Sequence, residues 1–457
     1  MSKVGSADKP LLVAIVGSGP SGFYAADALL KSDLTVKISL FERLPVPYGL
    51  VRNGVAPDHP GLKKVISVYA RIAEAPEFSY IGNVSVGRDI TIAELQATHH
   101  AVILACGAET GRRLGIPGED LPGSHTATEF VGWYNGHPDY RERQFDLSHQ
   151  TAVIIGQGNV AADVSRILSK TVDELKHTDI ARHALEVLAE SKVKHIHIVG
   201  RRGPAQAKFT SKELKEFAGL AACDPVVSAD SLLLNPQSET ELVGKDNARN
   251  KKIYDLFSDF SQRQAAKPKQ CRFTFLQSPL ELRGAGRVES IVLEKNQLSG
   301  DAFSQSARGT GETLELDTGI VFRSIGYRGL PLPGVPFDEQ HGVIPNSAGR
   351  ITDGGVSVPG LYTTGWIKRG ANGIIGTNRA DSVETVASLL EDIDKLAAGE
   401  EKAGVEGCHT ILAKRNVRYV DFASWKKIDA GEIERGKADG KPREKYTRIS
   451  EMLALLN

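Results

Sequence analysis

Cysteine is scarce in this chain of 457 residues: Cys106, Cys223, Cys271 and Cys408 are far apart, and no pair has C-x-x-C spacing. That excludes a sequence-local redox disulfide and an iron–sulfur ligand run, and a reducing compartment fits such usage best. Net charge is missing too. Lysine plus arginine and aspartate plus glutamate each total 56, so the sum lends nothing to a nucleic-acid binder or a polybasic membrane binder, while leaving room for a local basic patch. No apolar stretch approaches the roughly 18 residues that a membrane helix needs. The opening segment, Met1–Pro10, is polar and has neither an apolar signal core nor an arginine-rich amphipathic transit pattern. The expectation is a cytoplasmic protein that engages neither membrane nor nucleic acid and carries no metal centre.

Glycine is abundant: 46 residues, about a tenth of the chain against a usual share near 7%. Apolar residues at 41% and charged residues at 25% describe an ordinary globular protein with material for a sizeable core. The length makes roughly three domains, or two large ones, the starting expectation.

Residues 11–16 (LLVAIV) form a continuous apolar run closed by Gly17-Ser18-Gly19-Pro20-Ser21-Gly22 and followed by the helical pattern FYAADALLK. This reads as strand, tight turn, helix. A second run, VKISLF, ends at Glu42, as a strand buried on both faces would. A Pro/Gly-rich loop from Leu44 to Gly61, a helix over about 62–75 and a strand over 100–105 follow. The pattern restarts at residue 151: TAVIIG is a strand, Gln157-Gly158-Asn159 a turn, VAADVSRILSK a helix, and HIHIVG a strand ending at Arg201-Arg202. Further on, 243–265 reads as a polar surface helix, 272–277, 288–295 and 313–325 as strands, 361–364 as a short strand, and a helix begins near 378. The last fifty residues are charged and mostly helical or irregular.

Two motifs carry the chemistry. In Gly17-x-Gly19-x-x-Gly22, glycines let backbone N–H groups approach a pyrophosphate at the positive end of a helix. Glu42, twenty residues past Gly22, would accept hydrogen bonds from a ribose diol and repel a 2′-phosphate; FAD or NAD satisfies it equally. In Gly156-x-Gly158-x-x-Ala161, the partner strand ends in Arg201-Arg202 instead of an acid. Two guanidiniums there favour a 2′-phosphate, hence NADP over NAD; a surface arginine pair is the plain alternative. The contrast between the two strand ends assigns FAD to the first site and NADP(H) to the second.

The stretches VAIVGSGPSGFYAA, PVPYGLVRNGVAPDHPG, IPGEDLPG, FVGWYNGHP, IIGQGNVAADVSRIL, IVGRRGPAQ, SIGYR and GWIKRG..GIIGTN, with the tail WKKIDAGEIERGKADGKPREK, resemble the adrenodoxin-reductase family of ferredoxin–NADP reductases over nearly the whole chain. The resemblance implies an α/β fold of two Rossmann-like dinucleotide-binding domains. An NADP domain, 111–325, is inserted into a discontinuous FAD domain, 1–110 and 326–457. It implies hydride transfer from NADPH to non-covalent FAD and then single electrons to a small iron–sulfur ferredoxin, feeding redox partners such as cytochromes P450. By the same resemblance, FAD contacts are Ser21, Glu42, Leu50, Val86, Trp366, Gly373, Ile374 and Ile375, beside Gly17, Gly19 and Gly22. NADP contacts are Gln157, Gly158, Asn159, Val160, Arg201, Arg202, Glu213 and Gly373. His59 and Glu216 match positions near the flavin–nicotinamide junction and are the candidate catalytic residues, as modulators, since the cofactors carry the hydride chemistry. Arg249, Lys251 and Lys252, with Arg263, lie where the family places basic residues for an acidic ferredoxin; a solvated helix face explains the same charges. A monomer or weak dimer is expected. One departure stands out. The family commonly reads RGPTG where this chain has Arg369-Gly370-Ala371-Asn372-Gly373, and losing a φ-fixing proline would loosen that loop.

Three other functions compete. A flavin monooxygenase also carries two dinucleotide folds, but its F-x-G-x-x-x-H signature is absent. A thioredoxin-reductase-like disulfide enzyme needs the missing C-x-x-C. A non-catalytic flavin-bound sensor or subunit would hold FAD yet pass electrons to ferredoxin negligibly.

Overall fold

Two sheets, one mainly and one wholly parallel, organise the chain, each inside its own unit of the computed structural model, which describes residues 3–244, 247–396 and 401–457. One unit comprises the chain up to Thr110 and again from Tyr327; the other is Gly111–Gly326.

In the first unit a seven-stranded sheet runs in the order Asn346–Ser347, Arg350–Asp353, Val356–Thr363, Ala101–Leu104, Leu11–Val16, Val36–Phe41, Phe78–Ile81. The last five strands are mutually parallel, with Leu11 opposite Val36 and Val13 opposite Ala101. Because both faces are covered, the central strands Leu11–Val16 and Ala101–Leu104 are apolar without a break, whereas Val36–Phe41 carries an exposed Lys37. Val13 and Ile15 enter one core with Phe23, Leu29 and Leu40, while Ala14 and Val16 enter another with Phe41, Val102 and Leu104. Burying each larger aliphatic side chain contributes about 1.5–3 kcal/mol. The helices Pro20–Leu30 and Thr377–Glu391 pack together on the first face. Helices Gly404–Lys414, Phe422–Lys437 and Ile449–Ala454 follow.

In the second unit six parallel strands stand in the order Ser124–Thr126, Ile320–Arg323, Thr151–Ile155, His195–Val199, Lys269–Thr274, Cys223–Val227. One face is packed by helices through an aromatic cluster that includes Phe130, Phe209, Phe257, Phe273 and Phe322. The other is covered in part by an antiparallel sheet, Gln277–Arg283, Ser290–Ser299 and Ser306–Asp317.

Several local expectations change. The three strands expected from 272 to 325 are five. Ser306–Asp317 is almost wholly exposed and lacks the apolar alternation that marks a half-buried strand; Gln277–Arg283 contains Pro279 and a bulge, which disguise it. The expected helix over 62–75 is broken into Pro60–Lys63 and Ile66–Ala73, and a further turn, Gly49–Asn53, lies in the loop before it. The helix expected over 243–265 spans Ala248–Ser261; Lys245 and Asp246 lie outside the described residues. It is amphipathic, with Ile253, Phe257 and Phe260 in the aromatic core. No helix among the described residues is long and apolar enough to cross a membrane.

Candidate functional site

Each unit presents a nucleotide turn at the C-terminal end of its parallel sheet, and the two turns are built alike. Gly17 follows its strand at φ +109, where a Cβ would stand 2.5 Å from the Ala105 carbonyl oxygen. Gly156 follows its own at φ +135, with a Cβ 2.1 Å from the Ser324 carbonyl oxygen. Only glycine takes such a backbone against a neighbouring strand. Gly22 is closed as well, since a Cβ would meet Gly17 O at 2.0 Å, whereas Ala161 fits the equivalent place fully buried. The middle glycines differ from all of these: a Cβ on Gly19 or Gly158 meets nothing within 4 Å.

Gly19 and Gly158 are also the N-caps of the helices Pro20–Leu30 and Asn159–Ser169, and neither helix has a side-chain cap. Open space therefore meets unsatisfied N–H groups and the positive end of an eleven-residue helix twice over, the donor set a pyrophosphate requires. The residues present fit two dinucleotides.

Around the first turn, Glu42 ends the strand Val36–Phe41. Its carboxylate accepts from Ser18 N (3.2 Å), Ser18 Oγ (2.6 Å) and Leu44 N (3.0 Å). These bonds fix its orientation and leave part of its acceptor capacity for ribose hydroxyls. Ser21 is buried, with its carbonyl accepting from Ser382 Oγ at 3.0 Å. Leu50 is exposed, Val86 half-buried and His59 buried. Cys106 follows the strand Ala101–Leu104; burial, with Glu109 and Glu42 adding to it, pushes its thiol up to about 12, so it stays protonated. All four cysteines are free.

The segment from Gly365 to Gly376 belongs to the same unit. Gly365, at φ +79, lies so close to Ser21 that a Cβ would fall 2.1 Å from Ser21 Oγ. Trp366 is half-buried, and its indole N–H donates to the Asn372 carbonyl at 3.1 Å. The Arg369 guanidinium donates to that same carbonyl and to Asn378 Oδ1 (2.7 Å). Two side chains thus tie down the loop in which Ala371-Asn372 replaces Pro-Thr, and they do so through a backbone oxygen that any residue offers. Gly373 is at φ +84 and Ile374 is exposed. Ile374 N donates to Thr377 Oγ1 at 3.2 Å, which leaves the N–H groups of Ile375 and Gly376 at the uncapped start of the helix Thr377–Glu391.

Around the second turn, the Gln157 amide lies against Gly200, and its Nε2 is buried without a hydrogen-bond partner among the described residues. An orphaned buried donor beside an open helix N-terminus is the mark of a site shaped for a polar ligand. Asn159 Oδ1 accepts from Thr210 N at 2.8 Å, and Val160 is half-buried. Arg201 is exposed and Arg202 half-buried; among the described residues no carboxylate takes either guanidinium.

The pyridine nucleotide-disulphide oxidoreductase family matches residues 12–218, which contain both turns. Over nearly its full length the chain is similar to curated proteins. It is 45% identical to the mitochondrial NADPH:adrenodoxin oxidoreductase of Salvelinus fontinalis, covering 96% of this chain and 90% of that one. It is 44% identical to the NADPH-ferredoxin reductase FprA of Mycobacterium tuberculosis, covering 98% and 99%. The solved structure of M. tuberculosis FprA in complex with NADPH superposes with a TM-score of 0.93, at 44% identity over 98% of this chain and 99% of that one. The chain belongs to the family of NADPH:adrenodoxin oxidoreductases and NADPH-ferredoxin reductases.

Two features of this reductase-family chain escape a reading by motif. Arg166, inside the helix Asn159–Ser169, is completely buried and meets three carboxylates: Asp163 (2.7 Å), Glu213 (3.1 Å) and Glu216 (3.4 Å). Glu213 is therefore committed to an ion pair, and Glu216 shares the same cation. The signal was an arginine on the apolar side of VSRIL; what it meets depends on the helix Ser211–Glu216, capped by Thr210. The second feature is the pairing inside the basic helix. Arg249 donates to the carbonyls of Lys208 (3.1 Å) and Phe209 (3.2 Å). Lys251 pairs with Asp255 and Arg263 with Asp259, each at 2.6 Å along the helix, while Lys252 is exposed. The stripe of positive charge is partly compensated from within.

Proposed function

We propose that the chain is an FAD-dependent NADPH:ferredoxin oxidoreductase. The observation that carries this reading is a pair of open, uncapped nucleotide turns whose strand ends differ in charge, Glu42 in one unit and Arg201-Arg202 in the other. When bound, FAD would supply a two-electron acceptor for the hydride of NADPH, a proton together with an electron pair, and a one-electron donor to an iron–sulfur acceptor, with the proton released to solvent.

The residues of the chain bind and orient. Gly17, Gly19 and Gly22 bring backbone donors to the FAD pyrophosphate, and Glu42 accepts from the adenosine ribose. Ser21, Leu50, Val86 and Trp366 wall the flavin side, with Gly373, Ile374 and Ile375. The Ile375 and Gly376 N–H groups, at a helix start, favour negative charge beside them. Gln157, Gly158, Asn159 and Val160 take the NADPH pyrophosphate. Arg201 and Arg202 take the 2′-phosphate by fork-shaped, charge-assisted bonds. Glu213 supports that site through Arg166, and His59 and Glu216 modulate protonation and orientation at the hydride-transfer junction. Residues 1–110 and 326–457 then form the FAD domain and 111–325 the NADP domain, in a cytoplasmic monomer or weak dimer. A small acidic ferredoxin docks through Arg249, Lys251 and Lys252. The exposed Lys251–Asp255 pair contributes at most about 1 kcal/mol and is readily exchanged for a partner carboxylate.

The test is anaerobic. Addition of NADPH to the yellow protein bleaches the flavin, and addition of an oxidised ferredoxin restores the colour. Colourless protein that takes up no FAD overturns the reading. Bleaching with no electron transfer to any ferredoxin supports the non-catalytic alternative, and NADPH oxidation that requires oxygen and yields an oxygenated substrate supports a monooxygenase.

A further inference from the structure

Three consecutive backbone carbonyls at the arginine loop are all captured by the neighbouring antiparallel sheet and the chain that enters it. Gln277 N donates to Gly200 O (3.0 Å), Asn296 Nδ2 to Arg201 O (2.9 Å) and Leu276 N to Arg202 O (3.1 Å). The donors come from the chain entering the antiparallel sheet and from the middle strand of that sheet. Leu276 sits at φ +54, in the left-handed region, where the chain turns out of one sheet into the other. Asn296 sits at a bulge: the register along Ser290–Ser299 shifts between Glu294, opposite Thr313, and Asn296, opposite Gly309. A bulge re-aims a side chain. Here it delivers a buried amide, only 4% exposed, to a loop 95 residues earlier in the chain. The Asn296 amide nitrogen also donates to Ser278 Oγ (2.8 Å), and Asn296 N donates to Leu276 O (2.7 Å), closing the corner on itself. The far end of the loop is anchored as well, since Gln206 Nε2 donates to the buried Glu241 (2.8 Å) and to Ser238 Oγ (3.0 Å).

Strand ends and the loops after them are ordinarily mobile, and an arginine side chain loses much rotamer freedom when it grips a ligand. Fixing the carbonyls of residues 200–202 fixes the directions in which the Arg201 and Arg202 side chains leave the backbone, so less freedom remains to be lost on binding. We propose that Asn296 is the positioning residue for 2′-phosphate discrimination, with the antiparallel sheet 277–317 acting as the bracket of the arginine loop. The proposal rests on the assignment of Arg201 and Arg202 to the 2′-phosphate made above.

The test uses the FAD-loaded protein and two probes that differ by one phosphate, 2′,5′-ADP and 5′-AMP, with affinities measured by calorimetry. Asn296→Asp removes the donor at constant size, and Asn296→Leu removes it without adding charge. Both are expected to weaken 2′,5′-ADP about tenfold and 5′-AMP less than about twofold, and to raise KM for NADPH but not for NADH. Equal weakening of both probes, the mark of a merely structural role, overturns the proposal, and so does no change in either. Ser278→Ala removes only the acceptor that orients the amide, and a two- to threefold shift in the same ratio is expected; an unchanged ratio, should neither Asn296 variant fold, also overturns it. Arg201→Gln with Arg202→Gln separates the two readings. If that double variant keeps its preference for 2′,5′-ADP, the phosphate assignment itself is wrong; if it loses the preference while the Asn296 variants keep it, only the bracket fails.

Discussion

Arg52 and Glu432, 380 residues apart, grip each other through two parallel bonds of 2.8 and 2.5 Å with both side chains almost wholly out of water. Arg52 lies two residues after Leu50 in the loop proposed to wall the flavin, and Glu432 lies in the helix Phe422–Lys437 of the C-terminal segment. The pair is the centre of a network. Glu432 also receives Arg443 (3.3 Å) and the Tyr446 N–H (3.0 Å), Lys445 Nζ donates to the Arg52 carbonyl (3.2 Å), and the Arg52 guanidinium lies 5.2 Å from the Trp425 ring centre. The C-terminal segment thereby clamps the loop that carries Arg52.

Removing one partner leaves the other charge buried and uncompensated. Glu432→Gln is expected to destabilise the protein by about 3–5 kcal/mol and to speed the release of FAD, read as a drop in Tm together with a rise in free flavin fluorescence. An unchanged Tm with normal flavin retention contradicts the clamp.

The two kinds of glycine in each turn predict opposite phenotypes. Gly17→Ala forces a Cβ towards the Ala105 carbonyl at positive φ, and the protein is expected to lose at least about 1–3 kcal/mol and fold poorly. Gly19 has φ −76 and open space, so Gly19→Ala should melt within about 2 °C of the parent as apoprotein and fail to retain FAD, because the methyl group occupies the pyrophosphate's place. Gly158→Ala should keep FAD and weaken NADP+ at least about tenfold. Tm, the flavin absorbance of the purified protein and NADP+ calorimetry distinguish the three.

Under the proposed function, selectivity between the nicotinamide cofactors belongs to the arginine pair. Arg201→Gln with Arg202→Gln is expected to raise KM for NADPH at least about a hundredfold while leaving KM for NADH within about threefold, since each of the two guanidiniums supplies at least one charge-assisted bond of about 1.5–3 kcal/mol and about 1.4 kcal/mol is tenfold. Steady-state rates with a ferricyanide acceptor measure both constants. An equal rise for the two cofactors would show that the arginines serve the shared part of the ligand.

Stability should fall on acidification before most carboxylates titrate. His99 is buried between Ser39 Oγ (2.9 Å) and Thr98 Oγ1 (3.0 Å), and burial pulls its pKa down to about 4. Unfolding frees it to bind a proton at its ordinary pKa near 6.5, so between pH 6.5 and 4 the unfolded chain binds more protons than the folded one. The contribution of the neutral imidazole is fully present above pH 6.5 and is lost as pH falls to 4, on the order of 3 kcal/mol for this residue. His125 and His197, also pulled down to about 4 by burial, add to the same slope. Urea midpoints measured across that interval should decline steadily, and His99→Gln should flatten the decline; a parallel curve would assign the effect elsewhere.

How much was legible beforehand depended on range. The strands Leu11–Val16, Val36–Phe41, Thr151–Ile155 and His195–Val199 and the helices after the two turns announce themselves, because a strand covered on both faces is mostly apolar, with Lys37 and His195 left at exposed positions, and a helix that starts at a phosphate turn needs glycine before it. Ser306–Asp317 gives no such signal, since a strand exposed on both faces carries no hydrophobic period. The loop 365–376 shows the same limit from the other side. Replacing proline suggested looseness, yet the Asn372 carbonyl is tied by Trp366 and Arg369, contacts that a reading of φ preferences does not contain.

By itself, the order of residues determined the class of the fold, the two nucleotide turns and the opposite charges at their strand ends, because each is set within one strand–turn–helix–strand unit through backbone sterics and side-chain period. Only the tertiary structure decided that Arg166 gathers Asp163, Glu213 and Glu216, that Asn296 holds the Arg201 carbonyl, and that Glu432 meets Arg52. Those partners are chosen by where packed elements bring buried charges and amides, and a buried polar group must find whichever partner the packing supplies, at any distance along the chain.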